Sequence, residues 1–344
     1  MQVGLVTGKR EITLRDMPEP EATPGKAVVE ISHCGICGTD LHAWASGAPY
    51  NPAICGHEWS GSVAQSGRGV AHVKEGDRVA IGIAPACGQC ADCRSGRAAY
   101  CSAAFAGMLG VGPLAAPHGG FARAIAIDAA RLIAVRAGIT DEAAAMLEPA
   151  TVALHAVRRT PLHLGDACVV LGAGPIGLLT QQCARAAGAG AVVVVEPHPV
   201  RRERAKQLGA TAVVDPRSED VVQRVKQLLG PLGADVVFEC AGIPQTIDQS
   251  ASLAKRGGVV SLVGLANAPA QISPGTWLVN EIRLVASLGY LYEEFDLTMA
   301  LVQDGRLALA PLHTKTVGLH ELDAAFALLN DSPAEIKILV RPRP

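Results

Sequence analysis

Three cysteines at every third position, Cys87, Cys90 and Cys93, are followed eight residues later by Cys101 in the run CGQCADCRSGRAAYC. Four thiolates so spaced can converge on one tetrahedral ion, and zinc is the usual occupant of such a set. Four protein ligands fill the tetrahedron, so this metal is expected to brace structure and to leave no position for a substrate. Two disulfides are the competing reading. Ten cysteines without a secretory leader favour reduced thiols and a metal. Chemistry would then need a second, open metal site. Cys37 in CGICGTDLHAW, His57 and Glu58 in GHEWSG, and Glu148 in EPATVALHA offer the soft, borderline and hard donors that catalytic zinc accepts. Each also has an ordinary reading, as a small buried thiol or a surface His–Glu pair. Cys34 and Cys55 read as core cysteines, and His33, His72 and His163 as structural or exposed. Residue types alone leave the second site open.

VVLGAGPIG sets Gly172, Gly174 and Gly177 in G-x-G-x-x-G spacing after a strand, with Pro175 and Ile176 opening a helix. The first glycine permits a tight turn, the second lets a pyrophosphate approach the backbone, and the third lets helix pack on strand. Free N–H groups and the helix dipole then favour phosphate. A glycine-rich packing turn is the bland alternative. The strand–turn–helix context, and Glu196 closing AVVVVE nineteen residues past Gly177, favour a dinucleotide. An acid there suits ribose hydroxyls and repels a 2′-phosphate, so NAD is expected. Arg201 and Arg202 lie close enough to serve NADP instead.

These sites need two kinds of scaffold. Up to about residue 150, AVVEIS (27–32), SGSVAQSG (60–67), DRVAIGI (77–83) and FARAIAI (121–127) read as short strands between turn signals, an irregular β-rich domain. From Cys168 onward, apolar strands such as CVVLGAG, AVVVVE and ADVVFECAG alternate with helical stretches such as PIGLLTQQCARAAG. That rhythm predicts an α/β fold, a doubly wound parallel sheet covered on both faces, over 151–286. The tail, 287–344, holds two helical patterns and a strand, IKILVRP, too little to stand alone. It is expected to rejoin residues 1–150.

Composition narrows the function. The 344 residues suffice for two cores, 49% are hydrophobic and 18% charged, and the net charge of −2 gives no electrostatic case for nucleic acid. Mean hydropathy is +0.26, yet no apolar run reaches the roughly 18 residues of a membrane span. A cytoplasmic protein is expected.

Taken together, CGICGTDLH, GHEWSG, GDRVAI, the cysteine knot, EPATVALHA and VVLGAGPIG resemble, in order and spacing, the zinc-dependent medium-chain alcohol dehydrogenases, in the branch with sorbitol, butanediol and threonine dehydrogenases. The resemblance implies a GroES-like catalytic domain and a Rossmann NAD-binding domain. It implies two zinc ions per chain, a structural one in the knot and a catalytic one on Cys37 and His57. Glu58 would be a direct or transient ligand, and Glu148 would ligate zinc or hold its water. It casts Thr39 as the hydroxyl bonded to the substrate oxygen, His42 as the proton relay, and Asp40 as the carboxylate orienting the histidine ligand. Lys337 would reach the cofactor pyrophosphate, beside Gly172, Gly174, Pro175, Ile176, Gly177, Glu196 and Arg201. A homodimer or homotetramer follows, with SLVGLANAP and EIRLVASL as a sheet edge.

Substrate choice is less marked. SLGYLYEEF (287–295) carries Tyr290 and Tyr292 but no arginine, which disfavours an amino acid or long polyol. Trp44, Trp59, Tyr50 and Met108 could wall an apolar pocket or simply pack the core. The expected activity is reversible hydride transfer between a secondary alcohol or small diol and NAD. A polyol (sorbitol-like) or L-threonine dehydrogenase is the alternative. A cofactor-binding protein without catalysis would be expected to have lost Cys37 or His57.

Overall fold

A computed structural model describes residues 1–343. The chain divides into two units: Met1–Glu148 with Leu291–Met299 and the chain from His313, and Pro149–Tyr290 with Ala300–Leu312.

The first unit opens with an antiparallel hairpin, β1 (Gln2–Gly8) and β2 (Glu11–Asp16). β3 (Lys26–Gly35), β4 (Glu58–Ser66), β5 (Arg78–Ile81), β6 (Ala124–Asp128) and β7 (Leu132–Ala134) follow. The second unit contributes β8 (Ala167–Leu171), β9 (Ala191–Val195), β10 (Ala212–Val214), β11 (Ala234–Glu239), β12 (Ala254–Leu262) and β13 (Arg283–Ala286). β14 (His313–Gly318) and β15 (Lys337–Arg341) belong to the first unit again. Its main sheet runs β14-β15-β3-β4-β5-β7, with β6 also on β3. In β3, Val29 and Ile31 face the core, where β-branched side chains fit a pleated, half-buried surface. Trp44, Trp59, Phe121 and Phe326 close that core, with Phe121 edge-on to Phe326 at 5.9 Å. The strand expected from Phe121 begins only at Ala124. Phe121 and Ala122 instead turn toward β1, where Gly4 N–H donates to the Phe121 carbonyl.

The second unit is a six-stranded sheet, every pair parallel, in the order β10-β9-β8-β11-β12-β13. This is the strand order of a doubly wound dinucleotide fold. Its ligand crevice opens at the carboxyl ends of β8 and β11, where the order reverses. The valines of β8, β9 and β11 are buried on both faces, as their unbroken apolar runs require. Two stretches of the tail depart from the expected partition and group with this sheet and not with the first unit, 287–290 and Ala300–Leu312. The Gln182 amide is one tie for the second stretch: Oε1 accepts from Ala308 N–H at 2.8 Å, and Nε2 donates to the Ala308 carbonyl at 3.4 Å. Among the described residues, no helix is long and apolar enough to cross a membrane.

Candidate active site

Strand pairing brings the donors of the second metal site together. β3 and β4 are antiparallel and pair Gly35 with Glu58, so Cys37 and His57 leave adjoining strand ends at the same edge of the sheet. Cys37 caps the helix Gly38–Ser46, its sulfur accepting from Thr39 N–H at 3.5 Å. A Cβ at Gly35 would overlap the Glu58 carboxylate and displace it from its present position. The ligand atoms of Cys37, His57 and Glu58 lie within 4.8 Å of one another. One thiolate, one imidazole and one carboxylate in that compass suit zinc. Burial opposes a proton on His57, but Cys37, Asp40 and Glu148 outweigh it and raise the imidazole well above its ordinary pKa. Glu148, at the start of the helix Leu147–Arg159, is thus felt at the cluster without belonging to its compact core. Thr39 and His42 stand three apart on the Gly38–Ser46 helix, on one face. The Thr39 hydroxyl is 3.7 Å from the Cys37 sulfur, and His42 is exposed.

Two residues differ from their expected places. Asp40 Oδ1 is 3.9 Å from His57 Nδ1, too long for a hydrogen bond, and that nitrogen instead donates to the Ile54 carbonyl at 2.9 Å. The Asp40 carboxylate is occupied by Cys37 N–H (2.9 Å), Gly56 N–H (3.1 Å) and the Tyr50 hydroxyl (2.8 Å). Lys337, expected at the pyrophosphate, is only 2% exposed; its Nζ donates to Glu58 Oε2 at 2.6 Å and to the Ile36 carbonyl at 3.0 Å. The cause is topological: β15 pairs β3 beside β4, so its first residue lands at the metal edge. Burial works against the lysine charge, yet Glu58 and Cys37 outweigh it and raise the pKa, so the ammonium persists.

Cys87, Cys90, Cys93 and Cys101 also converge, with all ten cysteines free. The Cys90 and Cys101 sulfurs are 4.0 Å apart, near the roughly 3.8 Å edge of a tetrahedron with 2.3 Å zinc–sulfur bonds. Backbone N–H groups of Cys87, Cys90 and Cys93 point at the sulfurs of Cys101, Cys87 and Cys90 at 3.3–3.5 Å. Such donors favour thiolates. The Cys93 N–H leads in lowering the Cys90 pKa; burial acts most strongly on Cys101 and raises it, but the N–H groups of Cys87 and Ala104 and the Cys87 and Cys93 side chains together outweigh it. The set fits a closed zinc site.

At the crevice of the second unit, Gly172 has φ +94°, and a Cβ at Gly177 would overlap the Gly172 carbonyl oxygen. Gly174 faces open space and caps the helix Pro175–Ala186 without a side chain, so its first N–H groups are free to meet an anion. The glycine turn therefore fits a dinucleotide pyrophosphate. Glu196, buried, ties this turn to the end of β9, accepting from Ala173 N–H and His198 N–H, each at 2.8 Å. Arg202 is committed to the carbonyls of Glu196 (2.8 Å) and Pro197 (2.7 Å) and to Asp215 (2.9 Å). Arg201 is largely desolvated, which lowers its pKa against the pull of Glu196.

Among the aromatic candidates, Trp44 and Trp59 are core residues at 2% exposure each, not pocket walls. Tyr292 lines a cavity of about 330 Å³ with Val70, His72 and Asp128, and no residue of the metal cluster lines it. Sequence reading missed Gly35 and the Ile54 carbonyl, and it offered Tyr50 as a pocket wall or core residue where the hydroxyl bonds Asp40. Their partners are set by β3–β4 pairing and loop closure, which leave no local signature.

Two family models match the chain: the alcohol dehydrogenase GroES-like domain over residues 23–137 and the zinc-binding dehydrogenase over 175–304. The chain is 32% identical over 348 residues to the (R,R)-butanediol dehydrogenase of Bacillus subtilis (strain 168), covering 97% of each. It is 33% identical over 333 residues to the L-threonine 3-dehydrogenase of Streptomyces avermitilis, covering 94% of each. A provisionally assigned zinc-binding dehydrogenase from Sinorhizobium meliloti 1021, crystallised with NADP, superposes with a TM-score of 0.84 at 31% identity over 99% of both chains.

Proposed function

The chain belongs to the zinc-dependent medium-chain alcohol dehydrogenases, oxidoreductases acting on CH–OH groups, and from that premise we propose that it oxidises a secondary alcohol or small vicinal diol with NAD, reversibly. The observation that carries the reading is the Cys37–His57–Glu58 cluster in the unit matched by the GroES-like model. Zinc there supplies Lewis acidity toward an alcohol oxygen, and a nicotinamide nucleotide supplies the two-electron acceptor. The chain's own residues do the rest. Cys37 and His57 hold the metal, joined by a carboxylate. Glu58 lies within the cluster with Oε2 held by Lys337, and Glu148, at the start of its helix, is the other carboxylate that could complete the set. Thr39 would accept a hydrogen bond from the substrate hydroxyl and, on taking its proton, release its own, and exposed His42, one helical turn on, would carry a proton to water. Cys87, Cys90, Cys93 and Cys101 hold a second, structural zinc.

Gly172, Gly174, Pro175, Ile176 and Gly177 cradle the pyrophosphate, and Glu196 faces the ribose with Arg201 beside it. NAD is favoured over NADP because Glu196 stands at the end of β9 and Arg202 is already spent on carbonyls and Asp215. The tested alternative is a polyol or L-threonine dehydrogenase, which the Streptomyces relative favours and the missing arginine in SLGYLYEEF disfavours. A second copy pairs along β13, the terminal strand of its sheet, where Leu284 is 53% exposed, giving a homodimer or homotetramer. The protein works in the cytoplasm.

The test is a panel of secondary alcohols, vicinal diols, cyclic alcohols, polyols and threonine, assayed with NAD and NADP. A secondary alcohol or diol should give kcat/KM at least about tenfold above sorbitol and threonine, with NAD preferred. Threonine or sorbitol leading the panel would replace the substrate class, and NADP leading would replace the cofactor.

A further inference from the structure

We propose that Tyr50 is a positioning residue of the metal centre, acting through Asp40 to hold the Cys37 and His57 loops in register. The inference rests on the reading of Cys37 and His57 as metal ligands. Asp40 is wholly buried, and its two oxygens divide their work: Oδ2 takes Cys37 N–H, and Oδ1 takes Gly56 N–H, one residue before His57. One carboxylate thus joins the backbones of both ligand-bearing loops. Gly56 makes this possible, since its φ of +77° lies in the left-handed region and a Cβ there would press on the Phe121 ring and the Cys34 sulfur.

A buried carboxylate left short of donors is costly, and two amide donors alone would leave Oδ1 poorly anchored. The Tyr50 hydroxyl supplies the third bond at 2.8 Å. It holds Oδ1 on Gly56 and away from His57 Nδ1, 3.9 Å distant, which keeps its bond to the Ile54 carbonyl. Ile54 and Tyr50 lie in one short loop, so the Tyr50–Asp40 bond also fixes the carbonyl that sets the imidazole's orientation and tautomer. Residues that orient a ligand from behind it commonly change metal affinity 10–100-fold when removed.

The test uses Tyr50→Phe, which keeps the ring and removes one oxygen, with Asp40→Asn and the double variant. Each full-length protein is loaded with Co²⁺, the affinity of both sites is measured by chelator competition, and the d–d spectrum is recorded. Tyr50→Phe should weaken the Cys37–His57 site about tenfold and shift its Co²⁺ bands. The four-cysteine site should be unchanged, which excludes a general loss of structure. The double variant should lose no more than Asp40→Asn alone, because both act through one carboxylate. Parent-like affinity and spectrum in Tyr50→Phe, or additive losses in the double variant, would overturn the inference. A parent chain that binds metal only at the four cysteines overturns the functional reading itself, and this inference with it.

Discussion

Lys337 shows how one side chain is assigned by its surroundings. Its ammonium is buried against Glu58 at 2.6 Å, beside the Cys37–His57 pair. Lys337→Met would keep the aliphatic stem and strand Glu58 as an unpaired buried charge, a loss of about 3–5 kcal/mol. Denaturant unfolding should report that loss, while nucleotide affinity, followed by NADH fluorescence, stays at the parent value. Parent stability with weakened NADH binding would instead return Lys337 to the pyrophosphate. The chemistry-bearing types, Cys37, His57 and the acids, were legible from the sequence because donor softness is a property of the residue. The partners of Lys337 and Asp40 were not, because they depend on which strand ends meet.

At the scale of elements, the glycine turn and the alternation of Val-rich strands with amphipathic helices carry their own signal, and the parallel sheet follows from them. The turn is also where a single methyl group matters. Gly177→Ala would drive a Cβ into the Gly172 carbonyl, forcing the helix Pro175–Ala186 off β8. The expected cost is about 1–3 kcal/mol, with loss of NADH binding and retention of both metals. Unchanged NADH affinity would mean that the helix N-terminus is not the pyrophosphate seat. Boundaries were less legible. FARAIAI has the alternation of a strand throughout, but Phe121 and Ala122 are claimed by β1, a competition between partners that composition cannot express.

Over the whole molecule, the change in texture near residue 150 is a signal the sequence carries, and the path of 300–312 has no such signal. That segment joins the nucleotide unit through the Gln182 amide, a long-range bond with no local trace. The molecule assigns different work to two metal sites, a closed set of four thiolates and a compact cluster with mixed donors. That division is most directly tested by metal content and turnover in the parent and in Cys37→Ser. Serine preserves a good N-cap for the Gly38–Ser46 helix and removes the thiolate. The parent should hold two zinc ions per chain and Cys37→Ser one. Turnover should fall by at least about a thousandfold, as expected when several kcal/mol of Lewis-acid stabilisation is lost. A Cys37→Ser variant that keeps both zincs, or one that loses a zinc and turns over at the parent rate, would contradict the assignment of chemistry to the Cys37–His57 centre.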